Sequence, residues 1–487
     1  MGKMGGWTWY DKSMSTEAPE QETQDYRIEL TPEFKQAFQL MEYSNVSLFI
    51  TGKAGTGKST LLRFFKNNTH KRMVVLAPTG VAALNVSGQT IHSFFGFKPG
   101  ITPDAVAELH PGNKKKIVKN LDMIIIDEIS MVRADLLDCV NRFLKLHGPK
   151  PGHPFGGIQM VFIGDLYQLP PVVTREDEES LLDIYDTPYF FSSNVLKTMP
   201  IWKIELSKIF RQKDNDFVSI LNSIRDNTLT AKDLQRINSR YVQDFQLPDD
   251  DYYVCLTTTN RVANDINEQH LDKLPGTAQM FEGVIEGNFT KEYFPTNAEL
   301  YLKEGAQIMM TANDTASHRW VNGTLGKLLR INQKPDGTTL LVEFQDKTLA
   351  EIQPYKWEIF RYTIEDSILM TETVGSFTQF PVMLAWAVTI HKSQGKTFEK
   401  VMIDMGYGAF AHGQTYVALS RCRSLDGIVL RRRIEKRDIM TDPTIKRFLG
   451  KIRPADDILP AEEAADHFFD QMTGDRPFAR YTFEEED

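Results

Sequence analysis

The stretch from Gly52 to Ser59, GKAGTGKS, sets glycines at 52, 55 and 57 and a lysine at 58 in the spacing of a loop that cradles phosphate groups. Glycine backbone turns its N–H groups inward on phosphate oxygens, and a helix beginning at the loop's end adds the positive end of its dipole. Such a loop assigns nucleotide binding to Gly52, Gly55, Thr56, Gly57, Lys58, Ser59 and Thr60, with Lys58 on the outer phosphates and the Ser59 hydroxyl on Mg²⁺. Asp127 and Glu128 close the apolar run MIIIDE, which places two carboxylates at the carboxyl edge of a sheet. Asp127 suits Mg²⁺ and Glu128 suits polarisation of the attacking water. Gln168, in GDLYQLPPV, carries a neutral amide able to sense the γ-phosphate of ATP. Hydrolysis builds negative charge that Mg²⁺ and Lys58 cover only in part, and arginines brought from another domain are the usual remedy. Arg211 in FRQ and Arg421 in YVALSR are the candidates.

The elements that position these groups follow from periodicity. Between Arg27 and about Pro200, apolar runs alternate with helical spacing, the pattern of a parallel sheet covered by helices. SLFIT, MVVLA, MIIID and MVFIG read as buried strands, and DLLDCVNRFLKL, with Leu136, Val140, Phe143 and Leu144 on one face, reads as a crossover helix. A second such unit begins near Ile201 and includes YVCLTTTN. From about 300 to 380 the runs become short, β-rich and separated by Asn-Gly, Asp-Gly or charged turns, as in a small barrel. Helix-and-strand texture resumes at Pro381. The fold class is therefore α/β, with an all-β insert in the second unit.

Composition sets the remaining bounds. A chain of 487 residues has room for two or three domains. Its formal charge of -9 opposes nucleic-acid binding until it is apportioned. Residues 1–26 hold five acids against two lysines and residues 454–487 hold eleven acids against two arginines, so 27–453 is net positive. The ends, 1–26 and the acidic 436–487, read as solvated tails. Cys139, Cys255 and Cys422 lie far apart and form no metal-type spacing, which favours a reducing compartment over a disulfide framework and argues against a zinc site. No apolar run approaches the roughly 20 residues that span a bilayer. With a polar start that lacks an apolar signal core, the expectation is a cytoplasmic, nucleoid-associated protein.

The longer segments APTGVAALNVSGQTIHSFF at 77–95, IIIDEISMVRADLLDCVNRFL at 124–144, PFGGIQMVFIGDLYQLPPV at 154–172, LSKIFRQKD at 206–214, LTTTNRVANDIN at 256–267, VNGTLG at 321–326, LAWAVTIHKSQGKTF at 384–398 and GQTYVALSRCRSLDGIVL at 413–430 resemble the Pif (petite integration frequency) helicases of superfamily 1B, bacterial type, over about 27–435. The resemblance implies two RecA-like domains, 27–200 and 201–299 with 381–435, a Src-homology-3-like barrel at 300–380 and a small wedge at about 96–120. It also implies ATP bound between the two domains. It implies 5′-to-3′ translocation on single-stranded DNA, with Arg211, Arg421, Gln168 and Gly395 near the nucleotide. Thr79, His92, Phe94, Thr258, Asn260, His391 and Lys392 match its strand-facing positions. Hydroxyls, amides and a lysine hold phosphates without reading sequence, and rings stack on any base. In LTPEFKQAF the chain departs from the family: Phe34 stands where the adenine-reading glutamine is expected, and Gln36 is two residues on.

Two lysine- and arginine-rich runs lie outside these segments, at Lys114, Lys115, Lys116 and Lys119 and at Arg431, Arg432, Arg433, Lys436 and Arg437. Solvated faces are the plain reading of both, and phosphate contact is the functional one. The implied partners are single-stranded DNA and single/double-strand junctions, with G-quadruplexes and RNA–DNA hybrids among the family's substrates, and a monomer that assembles on DNA. The other reading the motifs leave open is a DNA-stimulated ATPase that remodels protein–DNA complexes without separating strands. A GTPase-type switch is the much weaker rival, because the chain lacks an Asn-Lys-x-Asp guanine-reading segment and supplies two candidate arginines in cis.

Overall fold

A computed structural model describes residues 29–458, apart from 213, 249, 250, 336, 366 and 367; the tail at 1–26 and the acids past 458 lie outside the described residues. The buried strands foreseen in the first third all form. These four join three further strands in a seven-stranded parallel sheet, in the order Arg453–Pro454, Trp202–Leu206, Leu48–Gly52, Gln159–Ile163, Met123–Ile126, Met73–Ala77 and Gln89–Thr90. Because successive strand residues point to opposite faces, each continuous apolar run feeds two cores at once. Phe49, Ile124, Ile126 and Phe162 pack under the helix Ala134–His147, while Leu48, Ile50, Ile125 and Val161 pack under the helices Pro32–Tyr43 and Lys58–Asn68.

Two boundaries differ from the sequence reading. Trp202–Leu206 pairs in parallel with Leu48–Gly52, so the first sheet runs past residue 200. Residues 436–457, expected as tail, are structured: the helix Pro443–Lys451 lays Phe448 flat on Phe191 with centroids 4.5 Å apart. The chain then adds Arg453–Pro454 to the edge of the first sheet. Charged residues around Phe448, Leu449 and Ile452 hide this apolar stripe in the linear sequence.

A second parallel sheet follows the order Ala387–Thr389, Val254–Thr257, Val401–Asp404 and Ile428–Leu430. The all-β region is wider than 300–380 and comes in parts. Leu349–Ile352, Gly337–Phe344, Leu325–Lys334, Gln307–Met310 and Val382–Leu384 make a five-stranded antiparallel sheet around Leu328, Leu340, Val342 and Phe344. Tyr355–Glu365 and Ile368–Gln379 form a long hairpin extended by Val284–Gly287. This hairpin reaches the first unit, where the Tyr362 hydroxyl accepts from Val75 N–H at 3.1 Å. Among the described residues no helix is long and apolar enough to cross a membrane.

Candidate nucleotide cleft and strand-facing edge

The phosphate loop leaves its strand at Gly52 and enters the helix at Lys58, with Gly55 at φ +83° and Gly57 at φ +88°. Both angles lie where L side chains are strained, and a Cβ on Gly55 would fall 2.5 Å from Arg211 Cβ. Glycine is thus required by conformation and by close approach. Thr56 Oγ1 donates to Lys53 O at 2.9 Å, and Lys58 Nζ donates to Gly52 O at 2.6 Å and Lys53 O at 3.0 Å, so the lysine is held over the loop. Ser59 and Thr60 open the helix, Ser59 exposed and Thr60 half-buried. Burial lowers the Lys58 pKa, while Asp165 and Glu128 resist that fall.

Asp127 and Glu128 leave the strand Met123–Ile126 on the cleft side, each half-buried. Burial, then repulsion from Glu128, pushes Asp127 up to about 7. Glu128 is also raised by burial, with Lys58 and Arg421 drawing it back. Its backbone sits at φ +49°, uncommon for a non-glycine residue and held by the turn Ile129–Met131 that follows. One hydroxyl and one carboxylate leave most of a coordination shell to water and phosphate oxygens, which is how Mg²⁺ is usually held. Ser59 and Asp127 therefore fit that ion as a donor set.

The second unit closes the cleft. Arg211 donates to Gly395 O at 3.2 Å and lies 3.5 Å from Ser420 O. Arg421, 1% exposed, is fixed through Nε on Val417 O at 2.9 Å and Nη2 on Ser420 Oγ at 2.8 Å, with Nη1 reaching Ser393 O at 3.3 Å. Burial and the neighbouring Arg211 bring its pKa down to about 9. Gly395 takes φ +76° in the turn between them. Gln168, 8% exposed, donates to Asp165 Oδ2 and accepts from Gln394 Nε2, both at 3.4 Å, linking the two units.

Several cleft residues were not foreseen. The Tyr416 hydroxyl accepts from Ala54 N–H at 3.2 Å, so the second unit grips the loop, and Phe210 N–H, on the segment that leaves Trp202–Leu206, donates to Gly55 O at 2.9 Å. Arg225 lies 3.6 Å from Asp165 and 4.4 Å over the Tyr167 ring. Tyr416 and Asp165 stand inside recognised segments, whereas nothing in the helix Asn215–Arg225 marks its arginine. Gln36 donates to Asp456 Oδ1 at 3.3 Å, and Phe34 is buried against Phe64.

The strand-facing candidates divide. Thr79 caps the helix Gly80–Asn85 through Ala82 N–H. Thr258 and Asn260 follow the strand Val254–Thr257, and His391 and Lys392 follow its neighbour Ala387–Thr389, all at one carboxyl edge. Burial lowers the pKa of both His92 and His391. Phe94 departs from expectation: it is 4% exposed and packed edge-on against Phe95 and Tyr362. Its place in the short helix Ile91–Phe95 turns the ring into the core, so in this structure it offers no face to a base. The first basic run also splits, since Lys114 turns back onto Ser93 O at 3.1 Å while Lys115, Lys116 and Lys119 stay exposed.

Two parallel-sheet units sharing one nucleotide cleft, with a β insert in the second, define a RecA-like motor ATPase. The family model of PIF1-like helicases matches residues 29–235. An ATP-dependent DNA helicase Pif1 of Bdellovibrio bacteriovorus is 32% identical over 434 residues, 87% of this chain and 92% of that protein. The chain spans 61% of the length of the human relative. A Bacteroides Pif1 structure in complex with ADP-AlF4 is 36% identical and superposes with a TM-score of 0.80, covering 87% of this chain and 97% of that one. The Bacteroides Pif1 bound to ssDNA, equally identical, superposes at 0.63 over 87% and 96%. The chain belongs to the PIF1-like helicase family.

Proposed function

We propose that this chain is an ATP-dependent DNA helicase that moves 5′ to 3′ along single-stranded DNA and opens the duplex at a single/double-strand junction. The observation that carries this reading is the division of the cleft. The phosphate loop and Glu128 stand on one unit, while Arg211, Arg421 and Tyr416 come from the other. Lys58 binds the outer phosphates, with Arg211 and Arg421 covering the charge that grows on the γ-phosphate. Glu128 holds the attacking water and takes its proton, a role its raised affinity for protons suits. Gln168, joined to Gln394, reports the γ-phosphate across the cleft. Ser59 and Asp127 would hold Mg²⁺, and the ion would supply charge neutralisation at the phosphate oxygens.

Closing on ATP draws the two arginines to the loop, and loss of the γ-phosphate removes their shared partner. Thr79 and His92 on one unit and Thr258, Asn260, His391 and Lys392 on the other then change separation along the strand. If their grips alternate, each cycle becomes net movement. Relatives named as ATP-dependent DNA helicases, and one bound to ssDNA, support this reading. ATP turnover measured with and without single-stranded DNA tests it. Strong stimulation is expected, and turnover indifferent to DNA would remove the coupling.

A further inference from the structure

All four strands of the second sheet are parallel, so the loops that follow them emerge on one edge. That edge carries His391 and Lys392, then Thr258 and Asn260, then the loop Gly406–His412 after Val401–Asp404, then Arg431, Arg432 and Arg433. On the third loop Tyr407 is fully exposed and Phe410 is 62% exposed. Both stand out in a run of glycine and alanine.

The loop is nevertheless held firmly. Gly406 N–H donates to Asp404 Oδ1 at 2.9 Å, Gly408 N–H to Met405 O at 2.9 Å, Ala409 N–H to Asp438 Oδ1 at 3.2 Å and Phe410 N–H to Gln414 Oε1 at 3.1 Å. Asp438, 2% exposed, is paired in turn with Arg432. A Cβ on Gly406 would stand 3.9 Å from Thr258 Oγ1, so the loop adjoins the phosphate-holding residues. Beyond it the margin is cationic: Arg431, Arg432, Arg433, Lys436 and Arg437 outnumber Asp404, Glu435 and Asp438.

We propose that Tyr407 and Phe410 are a stacking platform that lengthens the strand path of the second unit by holding unpaired bases of single-stranded DNA. The proposal rests on the reading of the Thr258 and His391 edge as strand-facing. Exposed rings on a braced loop offer large contact area at little ordering cost, and any base has a face to stack on them. A protein-docking patch would surround such rings with further large apolar side chains, and here their chain neighbours are Gly406, Gly408, Ala409 and Ala411, with Arg432 beside Gly408.

The test is the affinity of the full chain for a fluorescent oligothymidine, by anisotropy over a range of salt. Four variants are compared: Tyr407→Ala with Phe410→Ala, Tyr407→Phe with Phe410→Tyr, Asn260→Ala and Lys392→Ala. The double alanine variant should bind about 10- to 100-fold more weakly, with its melting temperature and its salt dependence unchanged, because stacking releases no counterions. The ring-conserving variant should stay within about twofold of the parent. Unchanged affinity in the double alanine variant, with Asn260→Ala weakened, overturns the platform and leaves the edge standing. Unchanged affinity in all four overturns the edge itself. Weakening by the ring-conserving exchange, or loss of self-association in sedimentation with DNA affinity intact, overturns stacking in favour of a structural role or a second copy of the chain.

Discussion

Replacing Tyr416 by phenylalanine removes a single oxygen at the place where the second unit touches the phosphate loop. The ring is 4% exposed and remains packed with Val417 and Leu419 in the core of that unit, so neither fold loses its filling. What is lost is the acceptor for Ala54 N–H, a group 3.2 Å away on a residue that is itself 6% exposed. A buried donor left without a partner costs about 1–3 kcal/mol. Set against roughly 1.4 kcal/mol per tenfold, that is about a 5- to 150-fold effect. The cost falls on the arrangement in which the two units meet at the loop, because each unit alone exposes its half of the bond to water. Steady-state ATP turnover with saturating single-stranded DNA should therefore show kcat/KM reduced at least about fivefold, with the thermal midpoint little moved. A variant with kcat/KM within about twofold of the parent would refute the view that this bond couples the units.

Glu128→Gln should retain nucleotide affinity, read by fluorescent ADP binding, yet lose at least about 100-fold in turnover, since the amide no longer accepts the water's proton. Arg421→Lys keeps a positive charge but not the fork that reaches Val417 O, Ser393 O and Ser420 Oγ, so turnover should fall about 10³-fold or more while DNA binding persists. Tyr362→Phe orphans the wholly buried Val75 N–H, and hydrogen exchange along the hairpin Tyr355–Gln379 should accelerate at least about fivefold. Exchange indistinguishable from the parent would show that the hairpin is docked by its other contacts.

Local spacing carried most of the catalytic half. Glycines at 52, 55 and 57, the carboxylates after an apolar strand and the buried runs around them all announce themselves within a dozen residues, because strand, loop and helix are specified locally. Contacts made over long separations leave no such trace. Ala54 meets Tyr416 across 362 positions and Val75 meets Tyr362 across 287, and nothing near either residue marks the pairing. The strand Trp202–Leu206 reads into the second unit because the break at Pro200 is a local signal, whereas its pairing with Leu48–Gly52 is not. Phe94 misled for a related reason: the segment around it is family-like, but the rotation of a five-residue helix decides whether its ring faces a strand or Phe95. The arginines of the 431–437 run looked free in sequence, yet Arg431 and Arg432 are spent on Asp404 and Asp438.

The most direct test of the motor is unwinding of otherwise identical duplexes that carry only a 5′ or only a 3′ single-stranded tail, with ATP and with Lys58→Ala as control. Strand separation confined to the 5′-tailed duplex and absent from the Lys58→Ala variant is the predicted result. Unwinding from the 3′ tail, or DNA-stimulated hydrolysis with no separation on either substrate, would contradict it.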